Sequence, residues 1–209
     1  ILPARQLIDR RLLADQIAAL PDNNELPKVV AALLRSELSA GREQIASALE
    51  HRPARGLAAA RAHSYLTDQI VRLAYDVVTN RLYPNPNPSI AERVAIVGLG
   101  GTGRGEMAPH SDLDLLILLA DGDAPWCEQV AEALTYLLWD IKFKLSHVVQ
   151  DVSGAIATAK SDLATCTALL EARWIWGDQP LAGQLLSRFA NEIVRDGAKQ
   201  FVADKLAER

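Results

Sequence analysis

The stretch VAIVGLGGTGRGEMAPHSDLDLLILLAD, residues 94–121, decides the fold. It predicts two short buried strands, over residues 93–97 and 112–120, because each is an aliphatic and β-branched run bounded by glycines or by a polar loop. Ten residues, 102–111, separate the Gly100-Gly101 pair from the second strand. The centre of the chain is therefore predicted to be a strand, a glycine turn and a second strand.

Two interpretations of the glycine turn compete. The glycines of VGLGGTG, residues 97–103, fit the GxGxxG fingerprint of dinucleotide-binding proteins. That fingerprint requires a helix of several turns before the next strand, within a unit of about 30 residues. Only eight residues, 104–111, follow the last glycine here, and Gly105 and Pro109 interrupt them. A crossover helix does not fit, so the spacing disfavours dinucleotide binding.

The second interpretation is a metal-dependent nucleotidyl transfer site. Asp112 and Asp114 open the second predicted strand, and alternate residues of a strand point to the same face. Two adjacent carboxylates repel each other unless a cation lies between them. Mg²⁺ takes one or two protein carboxylates and completes its coordination with phosphate oxygens and water. We therefore expect Asp112 and Asp114 to bind Mg²⁺, or Mn²⁺, and to be catalytic; a solvated strand end is the alternative.

The residues before these aspartates are suited to binding phosphate. Glycines allow the backbone to approach a triphosphate and to direct N–H groups at it, and an arginine can hold two phosphate oxygens at once. Glu106 could orient Arg104 or cap the turn. The predicted nucleotide-binding residues are Gly100, Gly101, Thr102, Arg104, Gly105 and Ser111.

In the nucleotidyltransferase superfamily that these residues resemble, many sites have a third carboxylate on a following strand. The candidate strand covers residues 141–152, but its interior contains no acidic residue until Asp151 near its end. Asp140 and Asp151 flank the strand and are weak candidates. Lys142 and Lys144 would share one face of it, where they could line a triphosphate channel or simply face solvent.

The rest of the chain predicts helices around a small sheet. A helix is expected over residues 57–82, and the alternating prolines of PNPNPS, residues 84–89, exclude a helix interior or a central strand. Helices are also predicted over 128–140 and 161–176. The expected fold is α/β (α+β): a small mixed sheet that carries the DxD site, flanked by helices. We expect an N-terminal helical segment (1–82), a core (83–176) and a C-terminal helical segment (177–209) that continues into a longer chain.

Composition and charge exclude several classes of protein. The net charge is −4, which disfavours general nucleic-acid binding because such binding depends on neutralising phosphates. Two cysteines without CxxC spacing indicate buried thiols in a reducing compartment. The longest strongly apolar run, residues 115–120, is much shorter than the roughly 20 residues of a membrane span. We expect a cytoplasmic protein with no membrane partner.

The sequence of the predicted site resembles that of a known family. GGTGRGE, residues 100–106, followed by HSDLDLLI, residues 110–117, is similar to the nucleotidyltransferase domain of the bacterial protein-PII uridylyltransferase/uridylyl-removing enzymes, which belong to the DNA polymerase β-like superfamily. Thr102 stands where that family usually has an aromatic residue, and His110 replaces a tyrosine. The similarity covers residues 60–209 approximately, and residues 1–55 carry little of it.

The resemblance implies the nucleotidyltransferase fold and a specific reaction. UTP would donate UMP to a tyrosine hydroxyl of a PII nitrogen-signalling protein, and pyrophosphate would leave. In that family hydrolase and regulatory domains follow, and 209 residues cannot accommodate them. Two alternatives stay open: a related transferase with another nucleotide or acceptor, such as an adenylyltransferase, and a non-catalytic nucleotide-binding regulatory module.

Overall fold

The computed structural model describes residues 3–122 and 124–207, so residues 1–2 and 208–209 of the predicted terminal segments lie outside it. The α-helices are α1 (Ala4–Leu7), α2 (Arg10–Ala18), α3 (Leu26–Glu50), α4 (Gly56–Val77), α5 (Gly100–Arg104), α6 (Pro125–Asp140), α7 (Val152–Ser161), α8 (Leu163–Leu170), α9 (Gln179–Phe189) and α10 (Asp196–Ala207). A 3-10 turn covers Pro53–Arg55, and π-helical turns cover Val78–Leu82 and Ala190–Arg195. Within the described ranges, no helix is both long and apolar enough to cross a membrane.

In the described part of the chain, four strands form one sheet. They are β1 (Val94–Gly98), β2 (Leu113–Leu119), β3 (Leu145–Asp151) and β4 (Arg173–Gly177), in the order β3-β2-β1-β4. Strand β1 is antiparallel to both β2 and β4, and its register with β4 shifts between Ile96 and Val97. A four-stranded sheet flanked by helices confirms the predicted mixed α/β fold.

The chain divides into two compact units, each assembled from three segments. The helical unit comprises Ile1–Asn87, Gly105–Leu113 and Glu128–Ser146. The sheet unit comprises Pro88–Arg104, Asp114–Cys127 and His147–Arg209. The predicted site motif has residues in both units. Its middle part, Gly105–Leu113, belongs to the helical unit, and the parts before and after it belong to the sheet unit.

The core of the helical unit is the contact between α3 and α4. Leu34, Ile45, Leu66 and Ile70 are fully buried there, because both helices repeat apolar residues at three- and four-residue spacing. Gly41 allows the two helices to approach closely, since a Cβ added at this position would lie 2.6 Å from Leu66 Cδ2. The α3–α4 pair is thus a tightly packed scaffold.

The core of the sheet unit lies between one face of the sheet and the helices that follow it. Alternate residues of β1 and β2 point to this face, as strand periodicity requires. The cluster contains Ala95, Val97, Leu116, Leu118, Val152, Ile156, Leu169, Leu181, Leu185 and Phe189. The sheet unit therefore has a hydrophobic core of its own.

The helix predicted over residues 161–176 is wrong for its second half. Asp162 caps a new helix, since its side chain accepts a hydrogen bond from Thr165 N, and α8 ends at Leu170. Strand β4 follows and pairs with β1. Its sequence RWIWG has the aromatic and β-branched residues that favour strands. The pairing with β1, which local sequence does not reveal, makes this segment a strand.

The strand predicted over residues 141–152 is shorter at both ends. The backbone leaves α6 through a left-handed residue, Lys142 (φ 73°), and Phe143 N donates to Leu138 O in a helix-ending turn. At the other end Asp151 caps α7 by accepting a hydrogen bond from Gly154 N. Lys142 and Lys144 therefore precede β3 and do not share a strand face, contrary to the prediction.

Candidate active site

Asp114 is the second residue of β2 and is tied to the glycine turn within the sheet unit. Its N–H donates to Thr102 Oγ1 at 3.1 Å, and its carbonyl accepts from Leu99 N at 3.0 Å. Thr102 is 1% exposed, so its side chain faces the protein interior. The two hydrogen bonds fix the position of Asp114 relative to the turn.

The glycines of this turn satisfy two different requirements. Gly100 begins α5 with φ +51°, a conformation that L side chains rarely adopt, and a Cβ here would lie 3.5 Å from Asp114 Oδ2. Gly103 packs against the backbone after α8, since a Cβ here would lie 1.9 Å from Glu171 O. Gly100 thus leaves space beside a carboxylate, and Gly103 allows close packing.

Two arginines lie at the C-terminal end of α5. The Arg173 guanidinium donates to Thr102 O at 2.8 Å and to Gly103 O at 3.0 Å. These carbonyls lack helical partners, so Arg173 holds the turn in place. Arg104 is half-exposed, and its Nη1 lies 3.8 Å from Glu171 Oε1. Its guanidinium is accessible to a ligand.

Asp112 belongs to the helical unit and lies one residue before β2, just outside the strand predicted to contain it. Its Oδ1 is 2.6 Å from Lys144 Nζ, and the side chain of Lys144 is 77% exposed. Leu113 N donates to Lys144 O at 2.8 Å, which holds the two segments together. The carboxylate is thus half-exposed and pairs with an exposed cationic side chain.

The loop between α5 and β2 is fixed to α4 in the helical unit. Gly105 has φ +72°, and Met107 N donates to Ala60 O at 3.1 Å. Glu106 pairs with Arg61 at 3.2 Å, so it does not orient Arg104, which was one of its predicted roles. The exposed Ser111 donates its hydroxyl to Ala108 O at 3.0 Å, closing the turn before Asp112.

Ser64 adds a polar atom that no motif indicated. Its hydroxyl is buried and has no hydrogen-bond partner among the described residues. A Cβ at Gly105 would lie 3.9 Å from Ser64 Oγ, so the hydroxyl faces the glycine at the start of the loop.

The structure assembles the predicted site residues in two sets. Gly100, Gly101, Thr102, Arg104 and Asp114 lie in the sheet unit, and Gly105, Ser111 and Asp112 lie in the helical unit. The residues that position them, Lys144 and Arg173, were not assigned such roles from the sequence. Arg173 was expected on a helix, and its role depends on the pairing of β4, which local sequence does not encode.

Neither candidate for a third carboxylate shows a ligand environment. Asp140 is the exposed last residue of α6, and Asp151 is engaged as the cap of α7. Among residues 3–122 and 124–207, no group of three or more His, Cys, Asp or Glu side chains could hold a metal ion. Asp112 in the helical unit and Asp114 in the sheet unit stay the predicted metal ligands.

The donor chemistry fits Mg²⁺. Carboxylate oxygens are hard donors, and Mg²⁺ uses one or two of them together with phosphate oxygens and water. The side chain of Asp112 is 38% exposed, and Asp114 is half-buried beside Gly100, where a larger residue would occupy the space next to Oδ2. The carboxylate of Asp112 is thus accessible to an ion with a partly aqueous shell, and Gly100 leaves space beside that of Asp114.

Comparison with known proteins supports the predicted family. Residues 40–147 match the family described as nucleotidyltransferase DUF294. Over 207 residues the chain is 44% identical to a bifunctional uridylyltransferase/uridylyl-removing enzyme of Novosphingobium aromaticivorans. The aligned region covers 98% of this chain and 23% of the relative. Relatives of the same name from Rhodospirillum rubrum and Azospirillum brasilense are 39% and 38% identical over 209 residues, with 98% of this chain and 22% of each relative covered.

The chain spans less than a quarter of the length of the curated relatives it matches. The family match, in contrast, includes more than half of the chain and contains the glycine turn, Asp112 and Asp114. The chain therefore belongs to the nucleotidyltransferase family DUF294.

Proposed function

We propose that the chain transfers UMP from UTP to a tyrosine hydroxyl of a PII signalling protein and releases pyrophosphate. The observation that carries this proposal is the attachment of Asp114 to the glycine turn through Thr102 Oγ1 and Leu99 N, which places a carboxylate beside a turn suited to phosphate. The names of the relatives, which cover 98% of this chain, support uridylyl transfer in particular. The acceptor follows from the family resemblance of the motif, and we place the reaction in the cytoplasm.

In this proposal Asp112 and Asp114 hold one or two Mg²⁺ ions, or Mn²⁺. When bound, the metal would lower the pKa of the acceptor hydroxyl and offset charge on the phosphate oxygens. Asp114 is held by two backbone hydrogen bonds, so it is ordered before the metal arrives. Asp112 is free to exchange its partner, since Lys144 is on an exposed, flexible side chain.

Backbone and side-chain groups around the glycine turn position the triphosphate in this proposal. Backbone N–H groups at Gly100 and Gly101 direct partial positive charge at its outer phosphates. Arg104 offers a planar pair of donors, and the Lys144 ammonium can move from Asp112 to a phosphate oxygen. Thr102 and Arg173 contribute by fixing the turn. No residue of the motif is an activated nucleophile, so we propose direct in-line transfer to the tyrosine.

The test is transfer of label from each α-labelled nucleoside triphosphate to a PII protein in the presence of Mg²⁺. We expect UTP to label the wild-type acceptor and a Tyr→Phe variant of its target tyrosine to stay unlabelled. Preferential labelling from ATP would replace uridylyl by adenylyl transfer. Triphosphate binding without transfer to any acceptor would favour the non-catalytic regulatory module.

A further inference from the structure

The helical unit contains a cavity that the proposed reaction does not use. It measures 640 Å³, within the range of about 300–1,000 Å³ typical of small-molecule sites. It lies between α3, the Pro53 turn, α4 and the loop before Asp112. Its apolar lining consists of Ile45, Ala46, Leu49, Pro53 and Pro109, and its polar lining of Arg42, Glu43, Glu50, His63 and His110.

His63 is the buried polar group of this cavity. It is 7% exposed, and the described part of the chain offers its ring no hydrogen-bond partner. Burial lowers the pKa of His63, and the positive charges of Arg42 and His110 lower it further. An imidazole that lines a cavity and has a ring donor and acceptor to offer can hydrogen-bond a ligand there.

Arg42 is a partly buried cation in the lining of the cavity. Its guanidinium lies 5.9 Å from the centre of the Phe143 ring, and burial lowers its pKa. Among the residues that the structure describes, no carboxylate lies within ion-pairing distance of it. A partly desolvated cation of this kind attracts an anion more strongly than an exposed one does.

The carboxylates of the lining lie at the rim. Glu43 and Glu50 are both exposed, and Glu43 Oε1 accepts a hydrogen bond from Ser39 Oγ at 3.4 Å. The interior is thus cationic and hydrogen-bonding at Arg42 and His63, and apolar elsewhere. This combination suits a ligand that has one anionic end and an apolar body.

We propose that this cavity binds a small organic anion that has one anionic end and an apolar body, a class of which phenyl phosphate, with its single ring, is a simple member. Arg42 and His63 would hold the anionic group, and Ile45, Leu49 and Pro53 would contact the ring. The site requires neither a metal nor Asp112 and Asp114, and it goes beyond the proposed transfer reaction.

The test is an NMR titration with phenyl phosphate in the presence of EDTA, following the ring protons of His63 and His110. We expect saturable shifts in the wild type. The dissociation constant should rise about tenfold or more in Arg42→Gln and in His63→Gln, the latter followed at His110, since each loses a charge-assisted or buried contact. Arg35→Gln is the matched control on α3, because Arg35 is exposed and outside the lining, and it should bind like the wild type.

A second variant separates binding from folding. Ala46→Phe fills the cavity at an exposed lining position and leaves Arg42 and His63 in place, so it should block binding while thermal unfolding stays unchanged. Phenol and inorganic phosphate, which each lack half of the proposed ligand, should bind at least about tenfold more weakly. The proposal is overturned if phenyl phosphate causes no saturable shift, if inorganic phosphate binds equally well, or if Arg42→Gln and Arg35→Gln bind alike. Because EDTA is present, these outcomes do not depend on the metal site.

Discussion

Arg104 and Arg173 illustrate how two arginines near one turn take different roles. Arg173 is committed to the carbonyls of Thr102 and Gly103, so it positions the turn and has little capacity left for a ligand. Arg104 is half-exposed, and its ion-pair partner among the described residues is the distant Glu171. Because Arg104 is the more exposed of the two, we expect it, rather than Arg173, to contact the triphosphate of the proposed reaction.

We expect Arg104→Lys to raise the KM for UTP about tenfold, or about 1.4 kcal/mol, because an ammonium cannot hold two phosphate oxygens as a guanidinium does. Steady-state kinetics with Mg²⁺–UTP would measure this change. Glu171→Gln is the control: it removes the ion pair and should leave the KM near that of the wild type. Unchanged kinetics in Arg104→Lys would exclude the arginine from nucleotide binding.

The lowered pKa of His63 leads us to expect that the free energy of unfolding depends on pH. Its pKa in the folded chain is below the ordinary value of 6.5, since burial, Arg42 and His110 all oppose its charged form. The unfolded chain therefore binds more protons in the interval below 6.5, and the free energy of unfolding falls as the pH decreases through it.

Urea denaturation between pH 7.5 and pH 5 measures this effect. The wild type should lose more stability on acidification than His63→Gln, which has no proton to bind. Glu43 and Glu50 at the cavity rim are present in both proteins, so their titration cancels in the comparison. Parallel pH profiles for the two proteins would show that His63 titrates normally.

At the scale of elements, α5 depends on contacts with segments that follow much later in the chain. Its five residues include Gly103, which packs against Glu171 O, and its last carbonyls accept from Arg173 on β4. A helix this short has little stability of its own, so these contacts determine its conformation. The end of α8 and the start of β4 are therefore part of the support of the glycine turn.

We expect Gly103→Ala to lower the free energy of unfolding by about 1–3 kcal/mol, because the added methyl group would overlap backbone atoms that cannot rotate away. Gly183→Ala on α9 is the matched control, since a Cβ there meets nothing within 4 Å. It should raise stability by about 0.5–1 kcal/mol through the lower flexibility of alanine in the unfolded chain. Chemical denaturation of both variants decides the point, and equal midpoints would contradict the close packing at Gly103.

In the molecule as a whole, local sequence predicted the central strands β1 and β2 of the sheet but not the edge strand β4. Strands β1 and β2 were predictable because their apolar runs and the glycines between them are local signals. Strand β4 was not, because its strand-favouring residues directly follow a helical pattern and its pairing with β1 joins residues far apart in the chain. The Arg173 contacts and the pairing of Lys144 with Asp112 are tertiary in the same way. The roles of the predicted site residues stay a prediction.

Metal and nucleotide should bind cooperatively to the intact chain. In the proposed site two carboxylates hold the metal, so phosphate oxygens would complete its coordination and Mg²⁺ should raise the affinity for UTP. UTP must then raise the affinity for Mg²⁺ by the same factor. Calorimetry of UTP binding with Mg²⁺ and with EDTA measures this coupling, and equal affinities in the two titrations would contradict it.

The central claim is that Asp112 and Asp114 bind the metal that enables transfer. Its most direct test is the rate of UMP transfer to a PII protein by Asp112→Asn and Asp114→Asn, measured beside their thermal unfolding. Asparagine keeps the size of the side chain and removes the charge, so we expect the rate to fall by about a thousandfold or more, or about 4 kcal/mol, with the fold retained. Near wild-type turnover in either folded variant would contradict the assignment of that carboxylate to the metal.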